Sequence, residues 1–185
     1  MIQFRIVIYH EGGTNMKILN IHGLNGSHNN TNFKILKEMF PEASIVSPQI
    51  DYVNVSPKVI ISSIVSTLDD VDLIVGNSFG GFFAYIIGTM TGARTLLVNP
   101  CIPPDKYIPN LVNGYEYRKI LSDLWAEYAD TNCDYSVILG NADKVLDINT
   151  TLNYLKPSDS RLAIIEGGHS LKGEVFENTF KEMLK

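Results

Sequence analysis

The stretch Gly76-Asn77-Ser78-Phe79-Gly80-Gly81 (GNSFGG) follows the largely apolar run Val71–Val75 and precedes the apolar segment Phe82–Gly88. A lone serine therefore stands between glycines at the point where a strand pattern changes to a helix pattern. Glycine loses more backbone entropy on folding than any other residue. Its use on both sides of Ser78 therefore indicates a close backbone approach that a side chain would prevent. The pattern has two interpretations: a tight turn with close strand–helix packing, and a nucleophile elbow, in which a strained turn holds the serine hydroxyl above a sheet.

The composition limits the class of protein. The chain has 185 residues, of which 45% are hydrophobic and 19% are charged, as expected for one globular domain with a sizeable core. The formal net charge is -5 and the 15 lysines and arginines are scattered, which argues against a nucleic-acid partner. No apolar run reaches the roughly 18 residues that a membrane span requires. Cys101 and Cys133 form no C-x-x-C pair, so we predict free thiols in a reducing compartment.

Residues 1–15 need a separate interpretation. The segment 1–10 (MIQFRIVIYH) is apolar enough for a strand, but it has the wrong flanks and length for a secretory signal. Glu11-Gly12-Gly13, shortly before Met16, is typical of a translated ribosome-binding site. We therefore predict that Met16 is the native start and that residues 16–185 form one domain. An extra edge strand within residues 1–15 is the alternative.

Short apolar runs rich in β-branched residues alternate along the chain with segments of helical spacing, such as the one around Phe33, Leu36 and Phe40. The six runs are Lys17–Ile21, Ser44–Val46, Leu73–Val75, Thr95–Val98, Tyr135–Leu139 and Leu162–Ile165. Continuous apolar strands that alternate with helices are typical of a mostly parallel sheet covered on both faces. With right-handed crossovers, the pattern predicts a doubly wound α/β domain of about six strands with helices on both faces.

Chemically reactive side chains follow three of the predicted strands. Ser78 follows the third, Asp143 the fifth and His169 the sixth. Because the carboxyl ends of parallel strands share one edge of the sheet, we expect these side chains to meet there. The chain order serine, aspartate, histidine is that of the α/β-hydrolase arrangement. This agreement favours the nucleophile elbow over the simple tight turn.

A histidine is the candidate base for the serine. A serine hydroxyl is a weak nucleophile until a base takes its proton, and a neutral imidazole accepts a proton at about pH 7. His169 is preferred because two glycines before it let its loop reach Ser78, whereas His10, His22 and His28 fit the role worse.

An aspartate is the candidate that holds this imidazole in its correct tautomer. Asp143 is preferred because it lies in the loop just after its strand. Asp134 precedes that strand, and Asp147 falls at the start of a helical pattern, where it can cap the helix.

Backbone N–H groups are the candidate oxyanion hole. One belongs to Phe79, directly after the serine, and the other to Leu24, in the loop after the first predicted strand. His22 and Gly23 would shape that loop. No second His or Cys has metal-ligand spacing with His22, so we predict no metal site.

The longest connection between predicted strands runs from Val98 to Tyr135, and we predict a short cap after the fourth strand at about residues 101–132. Its helical part places Leu124 and Trp125 on one apolar face, and we predict that they and Ile102 contact substrate. A short cap filled by aromatic rings leaves little room for a long chain, which predicts short acyl groups. Packing of this face on the core is the alternative.

From about Met16 to its C-terminus, the chain resembles the small YqiA/YcfP-like esterases of the α/β-hydrolase superfamily. The resemblance rests on His22-Gly23, the GNSFGG stretch, Val98-Asn99-Pro100, Asp143-Lys144-Val145-Leu146-Asp147 and Ile165-Glu166-Gly167-Gly168-His169. It implies a cytoplasmic carboxylic-ester hydrolase without cofactor, with Ser78, Asp143 and His169 as its triad. The chain departs from this family in having Leu24 where an aromatic residue is usual. It also lacks the further polar residue that usually stands between Gly168 and His169.

These observations predict a serine-dependent esterase or thioesterase for short acyl substrates, acting through an acyl-serine intermediate. Two alternatives stay open: a binding protein that has the fold without the reaction, and an acyltransferase that uses the same acyl-serine. The cationic side chains that a coenzyme A ester would require are dispersed, at Lys106, Arg118, Lys119, Lys144 and Lys172. This dispersion favours a small neutral ester.

Overall fold

The computed structural model describes residues 5–9, 16–108, 115–129 and 131–185, and strands and helices alternate through this part of the chain. The strands are β1 (Arg5–Tyr9), β2 (Lys17–Ile21), β3 (Ser44–Gln49), β4 (Leu73–Asn77), β5 (Arg94–Val98), β6 (Tyr135–Gly140) and β7 (Leu162–Ile165). The helices are α1 (Thr31–Met39), α2 (Pro57–Val65), α3 (Phe79–Thr91), α4 (Pro104–Tyr107), α5 (Tyr115–Tyr128), α6 (Ile148–Leu155) and α7 (Glu174–Met183).

The strands form one sheet in the order β1-β3-β2-β4-β5-β6-β7. Strands β2 to β7 run parallel, and β1 pairs antiparallel with β3 at the edge, with Tyr9 opposite Ile45. The prediction of a doubly wound, mostly parallel sheet is confirmed. Strand β1 is the edge strand that the sequence left as an alternative for residues 1–15, while Met16 as the native start stays a prediction. The rest of that segment, residues 1–4 and 10–15, lies outside the described residues.

Both faces of the sheet are buried. Successive side chains of each central strand point to opposite faces, and the side chains on both faces are largely apolar. In β4, Ile74 belongs to one hydrophobic cluster, whereas Leu73 and Val75 belong to the other. Helices α2, α3 and α5 cover the first face, and α1 and α7 cover the second. Within the described part of the chain, no helix combines the length and the apolar character needed to cross a bilayer.

The glycines of the GNSFGG stretch let α3 lie directly against the sheet. A Cβ atom on Gly76 would lie 2.5 Å from the Cβ atom of Ala84 and 2.5 Å from the carbonyl oxygen of Gly80. One on Gly80 would collide with the carbonyl oxygens of Ile21 and His22. A side chain at either position would therefore push α3 away from β2 and β4. Close strand–helix packing is thus a consequence of these glycines, and the turn that carries Ser78 lies between the packed β4 and α3.

The segment predicted as a cap carries α4 and α5, and its apolar face packs on the core. Trp125 is buried, with its ring 5.3 Å from that of Tyr85 on α3 and 6.3 Å from that of Tyr154 on α6. Leu124 and Ile102 are buried in the same cluster. These are the contacts of core side chains, so substrate contact by the three residues stays a prediction. Residues 109–114 and 130 of this segment lie outside the described residues.

Candidate active site

Ser78, Asp143 and His169 form a hydrogen-bonded series at the carboxyl edge of the sheet. The Nε2 atom of His169 lies 2.8 Å from Ser78 Oγ, and its Nδ1 atom lies 2.8 Å from Asp143 Oδ2. Because an ionised carboxylate only accepts hydrogen bonds, Nδ1–H donates to Asp143. The Nε2 atom is then the acceptor for the hydroxyl proton of Ser78. The fold therefore brings together the three side chains that the strand ends indicated.

Ser78 has a strained backbone in the turn between β4 and α3. Its φ is 53° and its ψ is -127°, a left-handed conformation that L residues rarely adopt and that costs about 1–3 kcal/mol. The turn is held by backbone hydrogen bonds on both sides. The N–H of Ser78 donates to Val98 at 3.0 Å, and its carbonyl accepts from Gly81 and Cys101, both at 2.9 Å. This is the geometry of a nucleophile elbow.

Asp143 is held rigidly in the loop after β6. Its Oδ1 atom accepts the N–H groups of Val145 at 2.8 Å and Leu146 at 3.0 Å, which leaves Oδ2 for His169. Only 4% of its side chain is exposed. The carboxylate therefore has one orientation, aimed at the imidazole.

The two rival aspartates have other partners. Asp147 is the N-cap of α6, and its Oδ2 atom accepts the N–H of Thr150 at 2.9 Å. Hydrogen bonds from the hydroxyl and then the backbone of Thr150 lower the pKa of Asp147. Asp134 pairs with Arg161 at 2.8 Å. Asp143 is thus the aspartate that contacts His169.

The loop after β2 lies against the serine. A Cβ atom on Gly23 would lie 2.9 Å from the Cβ atom of Ser78, so only glycine permits this approach. The carbonyl of Gly23 accepts two hydrogen bonds, from Gly26 N–H at 3.0 Å and from His22 Nδ1 at 2.7 Å. Because this carbonyl and the N–H of Leu24 belong to one planar peptide, fixing the carbonyl also fixes the direction of that N–H.

His22 is a structural group of this loop in its neutral form. Its Nε2 atom accepts the N–H of Ile50 at 2.9 Å, so its proton is on Nδ1 and is donated to Gly23. Burial lowers the pKa of His22 below 6.5 and so favours this neutral form. The hydroxyl of Tyr52 donates to the carbonyl of His22 and holds the loop from the other side. Among the described residues, no group of three His, Cys, Asp or Glu side chains could hold a metal ion.

Phe79 begins α3 directly after the serine. The first N–H groups of a helix have no acceptor within the helix, and the positive end of the helix dipole lies there. The side chain of Phe79 is buried, with its ring 4.9 Å from that of Tyr52. The backbone of Phe79 is therefore anchored, but the oxyanion roles of Phe79 and Leu24 stay predictions.

Asn99 is a buried residue of the site whose role the sequence did not indicate. It follows β5, and its Oδ1 atom accepts the N–H of Gly140 at 2.8 Å. Its Nδ2 group donates to the carbonyls of Gly168 at 3.1 Å and His169 at 2.9 Å. Asn99 therefore connects the end of β6 by hydrogen bonds to the loop that carries Gly168 and His169, which we call the histidine loop. Its presence in the Val98-Asn99-Pro100 block was the only available signal.

The sheet order, the serine turn and the loop arrangement define the α/β-hydrolase fold, and solved structures agree. The chain matches Est1E from Butyrivibrio proteoclasticus with a TM-score of 0.71 at 14% identity, over 98% of this chain and 93% of that one. It matches a monoacylglycerol lipase from Paleococcus ferrophilus with a TM-score of 0.70 at 14% identity, over 99% and 98% of the two chains. At this identity the likeness shows the fold.

The chain belongs to the family described as Uncharacterised protein family (UPF0227), whose model matches residues 17–185. A UPF0227 protein from Yersinia enterocolitica is 26% identical over 84% of this chain and 91% of that protein. One from Serratia proteamaculans is 26% identical over 70% and 77% of the two chains. With a UPF0227 protein of Shewanella sp. the match is 31% identical and spans about half of each chain, 48% and 51%. Family membership confirms the resemblance drawn from the sequence.

Proposed function

We propose that this chain is a serine-dependent carboxylic-ester hydrolase that acts through an acyl-serine intermediate. The observation that carries the proposal is the unbroken series Asp143–His169–Ser78, with both hydrogen bonds at 2.8 Å. His169 Nε2 would take the proton of Ser78 as Oγ attacks the ester carbonyl, and would return it to the leaving alcohol. Asp143 would stabilise the imidazolium. Water would then attack the acyl-serine by the same steps, so the reaction needs neither metal nor cofactor.

In this mechanism the negative charge of the tetrahedral intermediate falls between two backbone N–H groups. The N–H of Leu24 is oriented by the hydrogen bonds to Gly23, and that of Phe79 by the start of α3. Donors that are oriented in advance need no reorganisation as charge develops, which makes them effective. The free thiols of Cys101 and Cys133 support a cytoplasmic location for this enzyme.

A groove beside the oxyanion loop is our candidate for the acyl group. It has a volume of about 390 Å³, and its apolar lining comes from Leu24, Ile50 and Val53. The polar side chains of Asn25, Gln49 and the exposed Asp51 also line it. A short acyl chain can lie against the apolar side chains alone, whereas a long one would also have to contact the polar side chains. The groove therefore supports a preference for short acyl groups.

The acyl preference is testable with p-nitrophenyl esters from acetate to palmitate, measured below their critical micelle concentrations. Each CH₂ group that reaches the apolar lining should add about 0.8 kcal/mol of binding. We expect kcat/KM to rise over the first few carbons and to fall for chains beyond about eight carbons, where the lining ends. An efficiency that continues to rise through dodecanoyl and palmitoyl esters would show a deep tunnel and contradict this prediction.

The reaction class itself is tested by labelling with a fluorophosphonate probe and by steady-state hydrolysis of p-nitrophenyl butyrate. We expect covalent labelling at Ser78 together with sustained release of nitrophenol. Labelling without sustained hydrolysis would favour an acyltransferase. The absence of both would identify a binding protein and overturn the proposal.

Asn99 should act as a positioning residue for His169. In Asn99→Leu the N–H of Gly140 and the carbonyls of Gly168 and His169 lose their partner, and the histidine loop can shift. We expect kcat/KM for p-nitrophenyl butyrate to fall by about 100-fold, the effect of misplacing a reacting group by an ångström. The fluorophosphonate labelling rate should fall in parallel, while circular dichroism shows a folded protein. Wild-type rates of labelling in the folded variant would contradict this role.

A further inference from the structure

A second cavity adjoins the catalytic histidine on the side of α1. It has a volume of about 180 Å³, and its lining includes His169, Ser170 and Thr31 together with three asparagines, Asn30, Asn32 and Asn77. We call this cavity the asparagine pocket. It lies beside the helices of the second sheet face, whereas α5 covers the first face. It is therefore separate from the apolar face that the sequence suggested for substrate.

The three asparagines direct polar atoms into the protein without a partner among the described residues. The buried atoms that lack a hydrogen bond include Asn30 Nδ2, Asn32 Nδ2 and Asn77 Oδ1. Asn32 is only 4% exposed. Buried amide groups in native proteins nearly always have a partner, which can be ordered water, so these three atoms make this wall of the cavity strongly polar.

The assignment of oxygen and nitrogen in Asn30 follows from its capping role. Asn30 is the N-cap of α1, and its Oδ1 atom accepts the N–H of Phe33 at 2.9 Å. A backbone N–H requires an acceptor, so the oxygen is committed to the helix and the nitrogen is the free donor. The start of α1 belongs to the same wall, and the positive end of the helix dipole lies there.

The chemistry of the lining selects a neutral, hydroxyl-bearing group. A hydroxyl both donates and accepts hydrogen bonds, as the amide and hydroxyl side chains of this lining do, whereas a carboxylate or a phosphate cannot donate. Among the described lining residues there is no Lys, Arg, Asp or Glu to pair with a charged ligand. The volume equals that of about six water molecules at ~30 Å³ each, enough for a small polyol.

We propose that the asparagine pocket binds the leaving alcohol of a neutral ester whose alcohol part carries further hydroxyl groups, such as a monoacylated polyol. This inference rests on the proposed function, because His169 lines the pocket and is the group that would protonate the leaving alcohol. The acyl chain then lies in the groove beside Leu24, and the polyol lies between His169 and the start of α1. Hydroxyl groups on the leaving alcohol thus determine specificity.

The test compares two butyrate esters with the same carbon skeleton. Glyceryl 1-monobutyrate carries two free hydroxyls, and n-propyl butyrate carries none. For the wild-type chain we expect kcat/KM to be at least about tenfold higher for the glyceryl ester, since an apolar alcohol leaves the asparagines unpaired. In Asn32→Leu this preference should fall by about tenfold. The same change at Asn178, which is exposed on α7, is the matched control and should preserve the ratio.

A second variant keeps the test decisive if Asn32→Leu does not fold. Asn30→Ser retains a good N-cap for α1 but removes the Nδ2 donor, so it should also reduce the preference for the glyceryl ester. Equal kcat/KM values for the two esters in the wild type, or an equal loss for both in the variants, would overturn the pocket assignment alone. Failure of the wild type to hydrolyse either ester, together with no labelling at Ser78, would overturn the proposed function and the pocket with it.

Discussion

Ser78→Ala is expected to lower kcat for p-nitrophenyl butyrate by a factor on the order of 10⁶ if chemistry limits the rate. The loss is large because His169 and Asp143 can assist only a nucleophile that is present. The fold should survive, since alanine removes one hydroxyl and keeps the backbone bonds from Ser78 to Val98, Gly81 and Cys101. His169 Nε2 then loses its partner, but 23% of the histidine side chain is exposed and water can replace the hydroxyl.

The matched control for this variant is Ser122→Ala, which removes a hydroxyl from an exposed position on α5. Its kcat should stay within about twofold of the wild type, as is usual for surface changes. Fluorophosphonate labelling should vanish in Ser78→Ala and persist in Ser122→Ala. Activity of Ser78→Ala within about tenfold of the wild type, far from the loss expected for a missing nucleophile, would show that another group attacks the ester.

The arrangement of the site was predictable from sequence because a parallel sheet converts chain order into position. Ser78, Asp143 and His169 each lie within four residues of the end of a parallel strand, and all carboxyl ends of parallel strands meet at one edge. The contact of His169 with Asp143 and not with Asp147 was also predictable. Asp143 lies in a loop, and Asp147 starts a helical pattern, which is where a capping aspartate is expected.

The roles proposed for buried side-chain amides were not predictable in the same way. Asn99, Asn32 and Asn77 lie at the ends of strands or helices, where asparagine is common for local reasons of turn formation. The proposed roles depend on which groups these side chains face, such as the carbonyl of His169 for Asn99. Sequence spacing carries no information about such long-range pairs.

The apolar face of α5 shows a second limit. A stripe of apolar residues at helical spacing predicts that one side of the helix is buried, but it does not identify what packs against that side. In this fold α5 lies against α2 and α3, so Trp125 contacts Tyr85 in the core. A substrate-lining face and a core-facing face have the same periodicity, and only the crossover path of the chain between β5 and β6 distinguishes them.

The second large effect is expected for Asp143→Asn, which should lower kcat by about 10⁴. The Oδ1 atom of the new side chain can still accept from Val145 and Leu146, so the amide nitrogen replaces Oδ2 opposite His169. An amide nitrogen donates, and the imidazole must then accept at Nδ1 and carry its proton on Nε2. In that tautomer the ring donates toward Ser78 and cannot take its proton. The volume of the side chain is unchanged, so the effect is one of protonation and not of packing.

Asp147→Asn is the matched control, since it makes the same chemical change four residues further along the chain. Asparagine caps a helix about as well as aspartate, and its amide oxygen can still accept the N–H of Thr150. We therefore expect kcat to stay within about twofold of the wild type. Steady-state kinetics with p-nitrophenyl butyrate on both variants, with circular dichroism to verify folding, measures the contrast. If Asp147→Asn instead caused the large loss and Asp143→Asn remained within about tenfold of the wild type, the hydrogen bond from His169 to Asp143 would not be the one that sets the tautomer. The acid of the triad would then be the residue one helical turn later.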